Sequence, residues 1–137
     1  MRISLAAARA VFVALLVAIT YLTLTPNPDE TEPGFVVTRW LSNALTGDDA
    51  LADKIAHFLS YGALGAAAYW AELRLFSRRR GAAAALVLYG IALEVLQGLG
   101  GVRDPEIADA IANALGAASG LAGAAVLASL IRRMRPA

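Results

Sequence analysis

The residues most able to do chemistry open a run of otherwise apolar residues. Asp53, Lys54, His57 and Tyr61 begin this run, and His57 is the only histidine of the chain. A carboxylate beside an imidazole can orient the ring for proton transfer or for contact with a polar ligand. Charged groups cost free energy at the edge of an apolar segment. We therefore expect these residues to have a functional role.

Further polar residues interrupt the apolar runs that follow. Glu94 and Gln97 lie near the end of one run, and Arg103 lies in the link after it. Asp109 and Asn113 lie near the start of the next run. Spacings of three or four residues place such pairs on one face of a helix. We therefore predict three polar stripes that face one another and form one polar pocket.

Several of these residues have both a functional and a structural interpretation. His57 is a candidate for catalysis or ligand contact, or it only fixes the helices through a hydrogen bond to a carboxylate. Glu94 is a candidate general base, or it forms a structural salt bridge. Lys54 could hold an anion or snorkel to the interface, and Arg103 could hold an anion or be a surface charge. The predicted ligand-binding set is Asp53, Lys54, His57, Tyr61, Glu94, Gln97, Arg103, Asp109 and Asn113.

A metal ion is not expected from the sequence. Asp53, His57, Glu94 and Asp109 would be an acceptable set of oxygen and nitrogen ligands. The chain has only one imidazole, however, and no recognised motif such as His-Glu-x-x-His. We therefore predict no metal and no other cofactor.

The elements that position these residues are predicted to be membrane helices. The chain has 137 residues, of which 58% are hydrophobic, and a mean hydropathy of +0.60. These values exceed those of an ordinary soluble domain. Four apolar runs are long enough, or nearly so, to cross a hydrocarbon layer of ~30 Å: Ala10–Leu24, Ile55–Leu73, Ala82–Leu99 and Ile107–Ile131. They predict transmembrane helices at approximately 8–25, 54–74, 81–99 and 106–131. The sequence predicts an all-α integral membrane four-helix bundle, with residues 1–137 as a single domain.

The basic residues indicate the orientation of this bundle. Most of them lie before the first run, between the second and third runs, or after the fourth: Arg2, Arg9, Arg74, Arg78, Arg79, Arg80, Arg132, Arg133 and Arg135. The positive-inside rule then places both termini in the cytoplasm and the polar pocket on the outer side. Arg2 and Arg9 also resemble the start of a signal peptide, but no small-x-small cleavage pattern follows, so we interpret the first run as a retained anchor.

The first outer loop has two predicted parts. Three prolines and a glycine between Pro26 and Gly34 predict irregular backbone. Apolar residues from Val37 to Leu45 recur at helical spacing and predict a short amphipathic helix. This helix either lies at the outer interface, with Trp40 as its anchor, or packs on the bundle.

Small residues predict how the helices pack. Gly62, Gly65, Gly116 and Gly120 allow backbones to approach closely where lipid supplies no hydrophobic drive between helices. The pattern from Gly116 to Gly120 is alternatively a dimerisation face, so an oligomer is one expected state. A net charge of +1, without aromatic residues between the basic ones, does not predict nucleic-acid binding. The chain has no cysteine and therefore no disulfide or thiolate metal site.

The polar motifs together resemble those of VanZ-like membrane proteins. The matching residues are Asp53-Lys54-x-x-His57-Phe58-x-x-Tyr61-x-x-Leu64, then Glu94-x-x-Gln97, Arg103, and Asp109-x-x-x-Asn113-x-x-Gly116-x-x-x-Gly120. The resemblance covers the second to fourth predicted helices. It implies a small multi-pass protein of the bacterial cytoplasmic membrane, in a family associated with tolerance of glycopeptide antibiotics, chiefly teicoplanin. It does not imply a particular reaction.

The expected function is binding of a polar or anionic head group, from a membrane lipid or a lipid-linked cell-wall precursor, in the outward-facing pocket. Arg103 and Lys54 would hold the anion. The first alternative is an enzyme that acts on lipid or glycan head groups, with His57 or Glu94 as general base. The second is a network that only specifies folding and assembly.

Overall fold

The computed structural model describes residues 4–25, 28–101 and 106–134, with only the backbone described for 28–35. Over these residues the chain is all-α, as predicted. Its helices are α1 Leu5–Leu24, α2 Pro28–Thr46, α3 Ala52–Trp70, α4 Arg79–Leu99 and α5 Ile107–Arg133.

Three of the described helices, α1, α4 and α5, are long and apolar enough to cross a membrane. The sequence predicted α3 as a further span. Its 19 residues would reach about 29 Å at ~1.5 Å per residue, so its length is sufficient. Asp53, Lys54 and His57 lower its hydropathy, and α3 is therefore not among the three.

The helix α3 is nevertheless at the centre of the described structure. It packs against α1, α2, α4 and α5, and most extensively against α5. Tyr61, Leu64 and Ala68 on α3 are buried in the core. The least apolar of the predicted spans thus contacts every other described helix, while Phe58, Leu59 and Trp70 on its outer face remain exposed.

Glycines make the close approach of α3 and α5 feasible. A Cβ atom added to Gly65 would overlap the carbonyl group of Ala117, and one added to Gly116 would overlap that of Phe58. A Cβ atom on Gly120 would likewise overlap the carbonyl group of Gly62. Any larger residue would separate the two backbones. Gly116 and Gly120 therefore face α3 of the same chain.

The first helix joins this core through both packing and hydrogen bonds. Ile19 of α1 belongs to the same buried cluster as Leu64 and Leu86. Thr20 Oγ1 lies 2.5 Å from the hydroxyl oxygen of Tyr89 on α4. These contacts hold α1 against α3 and α4.

The helix α2 is longer than the sequence predicted. It begins at Pro28 and continues through Pro33 and Gly34, so the prediction of irregular backbone there is wrong. Proline at the first helical position costs no hydrogen bond, because that amide has no partner within a helix. Trp40 is 67% exposed, whereas Thr38 and Ser42 are buried. Val36, Val37, Trp40 and Leu45 therefore face away from the bundle.

The link between α3 and α4 contains a tight turn. The helix α3 ends at Trp70, four residues before the predicted boundary, and Glu72 then adopts a φ of 54°. Leu75 and Arg78 exchange backbone hydrogen bonds of 3.1 and 3.0 Å. Phe76 and Ser77 between them have φ values of 51° and 61°. Positive φ at both central residues is typical of a type I′ turn.

The helices alternate in direction, which gives the described structure two distinct ends. At one end, Arg9 Nε donates to the carbonyl oxygen of Ala71, so the start of α1 lies beside the end of α3. At the other end, Gln97 Nε2 donates to the carbonyl oxygen of Thr23, so the ends of α1 and α4 meet. The starts of α3 and α5 also lie at this second end, which carries the polar residues.

Candidate functional site

Lys54, on the first turn of α3, is surrounded by carboxylates. Its Nζ atom lies 3.2 Å from Asp53 Oδ2, 2.5 Å from Glu106 Oε2 and 3.0 Å from Asp109 Oδ1. These partners come from α3 itself and from the beginning of α5. Lys54 therefore joins the two helices, and its charge is already matched by acidic groups of the chain.

His57 lies one turn further along α3, next to the carboxylates of Asp53 and Asp109. Its Nε2 atom is 3.7 Å from Asp53 Oδ1 and 3.8 Å from Asp109 Oδ2. Its Nδ1 atom is 2.9 Å from Asn113 Oδ1 and 3.7 Å from Glu94 Oε1. The imidazole thus lies where α3, α4 and α5 meet.

Asn113 and Glu94 support the imidazole from the buried side. Asn113 Nδ2 lies 3.5 Å from Glu94 Oε1, at the limit of a hydrogen bond. When the amide nitrogen faces the carboxylate, the amide oxygen faces His57 as an acceptor. Both residues are buried, with exposed fractions of 2% for Asn113 and 5% for Glu94.

Access to the cluster decreases from the first turn of α3 toward the core. The Lys54 side chain is 25% exposed and that of His57 is 14% exposed, whereas Asp109 is only 1% exposed. A ligand at this end would therefore meet Lys54 and His57 before the buried acids.

Acidic side chains outnumber basic ones among the described residues of the cluster. The carboxylates are those of Asp53, Glu94, Glu106 and Asp109, and they accompany one ammonium group and one imidazole. Lys54 and His57 are therefore already surrounded by acidic groups of the chain.

Two predicted site residues have other surroundings. Gln97 donates to the Thr23 carbonyl oxygen at 2.7 Å and so ties α4 to α1. Tyr61 is 2% exposed, and its hydroxyl oxygen has no hydrogen-bond partner among the described residues. Tyr61 nevertheless lies beside the cluster, because its side chain and that of Asn113 both pack against Gly90. Ligand binding by Gln97 and Tyr61 stays a prediction.

Arg103, the predicted anion-binding residue, lies outside the described residues. Glu106, by contrast, was missed by the sequence analysis although it contacts Lys54. The only available signal was its position immediately before α5, where a carboxylate interacts favourably with the helix N-terminus. The structure therefore brings together Asp53, Lys54, His57, Glu94, Asp109 and Asn113 from the predicted set and adds Glu106.

A hollow of about 200 Å³ lies away from this cluster, at the end of α3 and the start of α4. Its lining is mainly apolar and includes Phe12, Leu73 and Leu86, with Arg74 beside them. It contains none of the polar residues predicted to bind a ligand.

Comparison with known proteins gives one family match. The family model described as VanZ/LLP1 matches residues 11–130 of the chain. No curated protein matches the chain, and no solved structure does. The matched range includes the described helices α3 and α4 in full and most of α1 and α5.

Proposed function

The chain belongs to the VanZ/LLP1 family, and from this premise we propose that it is a multi-pass protein of the bacterial cytoplasmic membrane that binds a polar head group. The head group belongs to a membrane lipid or a lipid-linked cell-wall precursor. The observation that carries this proposal is the convergence of charged side chains from α3, α4 and α5 around His57 at one end of the helices.

Membrane topology supports an outward-facing site. The arginines of the α3–α4 link and of the end of α5 lie at the end opposite the polar cluster. The positive-inside rule assigns that arginine-rich end to the cytoplasm. The polar cluster then faces the outer leaflet, where the head groups of exported cell-wall intermediates are located. In this topology α3 is a fourth span, which packs against α1, α4 and α5.

The charges of the cluster restrict the head groups that fit. Because Lys54 is paired with three carboxylates, it is a poor free anion-binding group. Hydroxyl or amine groups of a head group could donate to Asp53 or to the imidazole of His57. A phosphate of the same ligand is assigned to Arg103. We therefore favour a head group that carries both hydrogen-bond donors and a phosphate.

Native mass spectrometry in mild detergent tests this proposal. The protein is purified from bacterial membranes, and the masses of retained lipids are compared between wild type and His57→Ala and Arg103→Ala variants. We expect a specific lipid on the wild type that both variants lose. Glu72→Gln, which removes a carboxylate at the opposite end, is the matched control and should retain the lipid. Identical lipid retention by both variants and wild type would contradict head-group binding.

Further variants test the two alternatives, which are a network that serves only folding and an enzyme that acts on head groups. If the cluster serves only folding, Asp53→Asn and His57→Ala should lower the melting temperature without any change in retained lipid. If the protein is an enzyme, incubation with membrane lipids should yield a product that Glu94→Gln abolishes. The specific observation that favours chemistry is that the accessible His57 imidazole lies near carboxylates on both of its ring nitrogens.

We extend the proposal to glycopeptide tolerance through the family. Expression of the wild-type chain in a susceptible bacterium should raise the teicoplanin concentration that inhibits growth, and His57→Ala at equal membrane abundance should not. Equal inhibition of cells with wild type, variant and empty vector would remove tolerance from the proposed function while leaving lipid binding to be judged by mass spectrometry.

A further inference from the structure

Three potential metal ligands face one another at the mouth of the cluster. They are His57 Nε2, Asp53 Oδ1 and Asp109 Oδ2, with 3.7 and 3.8 Å between the nitrogen and the two oxygens. One ligand atom from each residue lies within 4.8 Å of the others. An N–H···O hydrogen bond is shorter, at about 2.7–3.2 Å. Donors on one tetrahedral ion with bonds of about 2.0–2.2 Å are roughly 3.3–3.6 Å apart, which is nearer to the observed separations.

The other ring nitrogen of His57 favours coordination through Nε2. Nδ1 lies 2.9 Å from Asn113 Oδ1, and the orientation of the Asn113 amide makes that oxygen an acceptor. A neutral His57 therefore carries its proton on Nδ1 and presents the Nε2 lone pair to the two aspartates. Histidines that bind metals are commonly held by such a hydrogen bond from the nitrogen that does not bind the ion.

Lys54 orients Asp53 and Asp109 so that one oxygen of each faces His57 Nε2. Its Nζ atom contacts Asp53 Oδ2 and Asp109 Oδ1, at 3.2 and 3.0 Å. The remaining oxygen of each carboxylate is the one directed to His57 Nε2. One ammonium group thus fixes both carboxylates, as groups around a metal site commonly do for its ligands.

We propose that His57 Nε2, together with one carboxylate oxygen each of Asp53 and Asp109, binds a divalent transition-metal ion of the Zn²⁺ and Mn²⁺ class. The imidazole ligand favours Zn²⁺ over Mg²⁺ and Ca²⁺, and the two carboxylate ligands also suit Mn²⁺. Three protein ligands leave a coordination position for water or a ligand group. The inference departs from the sequence-based expectation of no metal. It goes beyond head-group binding and does not depend on it.

Metal binding can be measured without any lipid. The full chain is purified in mild detergent with an affinity tag that lacks histidine, treated with EDTA and dialysed against ZnCl₂. The chain is a clean background for this experiment, because it has one histidine and no cysteine. We expect one zinc ion per chain by elemental mass spectrometry. Replacement by Co²⁺ should give visible absorption bands of a cobalt ion with a nitrogen ligand.

Variants distinguish coordination from attraction by general negative charge. His57→Ala and Asp109→Asn should lose the ion, and Asn113→Ala should weaken its binding about 10- to 100-fold by releasing the ring. Asp49→Asn is the matched control, because it removes an exposed carboxylate at the same end of α3 that is hydrogen-bonded to Asn43 and is not among the three ligands. It should retain one zinc ion per chain.

Two results would overturn the proposal. One is a wild-type protein that binds no zinc, cobalt or manganese after dialysis. The other is loss of the ion from Asp49→Asn to the same extent as from His57→Ala. If Asp109→Asn fails to fold, Asp53→Asn at the more accessible end of the cluster replaces it in the comparison. Failure of lipid retention with normal metal binding would count against the proposed function alone.

Discussion

Tyr61 and Tyr89 are neighbouring residues whose hydroxyl groups have opposite surroundings. Their ring centroids are 6.2 Å apart. The Tyr89 hydroxyl oxygen lies 2.5 Å from Thr20 Oγ1 and donates to the Leu16 carbonyl oxygen at 3.2 Å. The Tyr61 hydroxyl is buried without a hydrogen-bond partner among the described residues. A buried hydroxyl without a partner costs free energy, whereas a bonded one contributes to stability.

We therefore expect Tyr61→Phe and Tyr89→Phe to change stability in opposite directions. Tyr61→Phe should raise the free energy of unfolding by about 1 kcal/mol, because it removes an uncompensated polar group. Tyr89→Phe should lower it by a similar amount, because the Tyr89 hydroxyl loses its hydrogen bonds to Thr20 and to the Leu16 carbonyl oxygen. Thermal unfolding in one detergent measures both changes. A loss of stability in Tyr61→Phe as large as in Tyr89→Phe would show that the Tyr61 hydroxyl has a partner.

Residue spacing predicted only part of the site. Separations of four residues correctly placed Asp53 and His57 on one face of α3, and Asp109 and Asn113 on one face of α5. The spacing in α4 did not predict that Gln97 donates to the Thr23 carbonyl oxygen of α1, since a stripe does not specify how a helix is rotated against two different neighbours. The division of carboxylate oxygens between Lys54 and His57 depends on side-chain rotamers, which periodicity does not contain.

At the scale of elements, the pairing of α3 with α5 depends on which glycines face the partner helix. Gly120 lies against the Gly62 carbonyl group, whereas a Cβ atom on Gly123 would have no atom within 4 Å. The two glycines are one helical turn apart on α5 and have the same local sequence context of small residues. They form a matched pair for substitution.

Gly120→Ala should destabilise the protein by about 1–3 kcal/mol, because the added methyl group forces the two backbones apart. Gly123→Ala should leave stability unchanged or raise it by up to about 1 kcal/mol, since alanine loses less entropy than glycine in a helix. Melting temperatures in detergent compare the variants. Equal effects at both positions would contradict the close approach of α3 and α5.

The turn between α3 and α4 allows a stabilising substitution. Phe76 is 86% exposed and Ser77 is also exposed, yet both have positive φ. Asparagine followed by glycine is the preferred pair for this type of turn. The double variant Phe76→Asn and Ser77→Gly should therefore raise stability by about 1 kcal/mol, because it relieves backbone strain and loses no buried side chain. An unchanged or lower melting temperature would argue against this turn conformation.

At the scale of the whole molecule, the proposed topology requires α3 to cross the membrane. Ala50 and Ser77 lie on either side of α3, both are exposed, and the chain has no cysteine. Single variants Ala50→Cys and Ser77→Cys can therefore be labelled with a membrane-impermeant maleimide without background. We expect Ala50→Cys to react in intact spheroplasts and Ser77→Cys to react only after permeabilisation. Labelling of both from one side would exclude α3 as a span.

The sequence predicted which segments are apolar helices better than it predicted how those helices pack against one another. Long apolar runs identified α1, α4 and α5, and the structure confirms them as apolar helices of sufficient length. The sequence analysis missed the part of α2 around Pro33, because a proline usually breaks a helix. Whether a helix continues past a proline depends on the whole segment and not on that residue alone. The central place of α3 was also not predicted, since hydropathy does not identify which helix the others surround.

The extensive packing of α3 against α5 has a consequence for membrane insertion during translation. Trp70 ends α3, and its main partner α5 begins only at Ile107. At about 5–20 residues per second, a ribosome completes α5 several seconds after α3. During that interval α3 carries Asp53, Lys54 and His57 without the helix that shields them. The nascent α3 would then stay beside the insertion machinery until α5 emerges. The two helices would enter the membrane as a pair, joined at the glycines where their backbones meet.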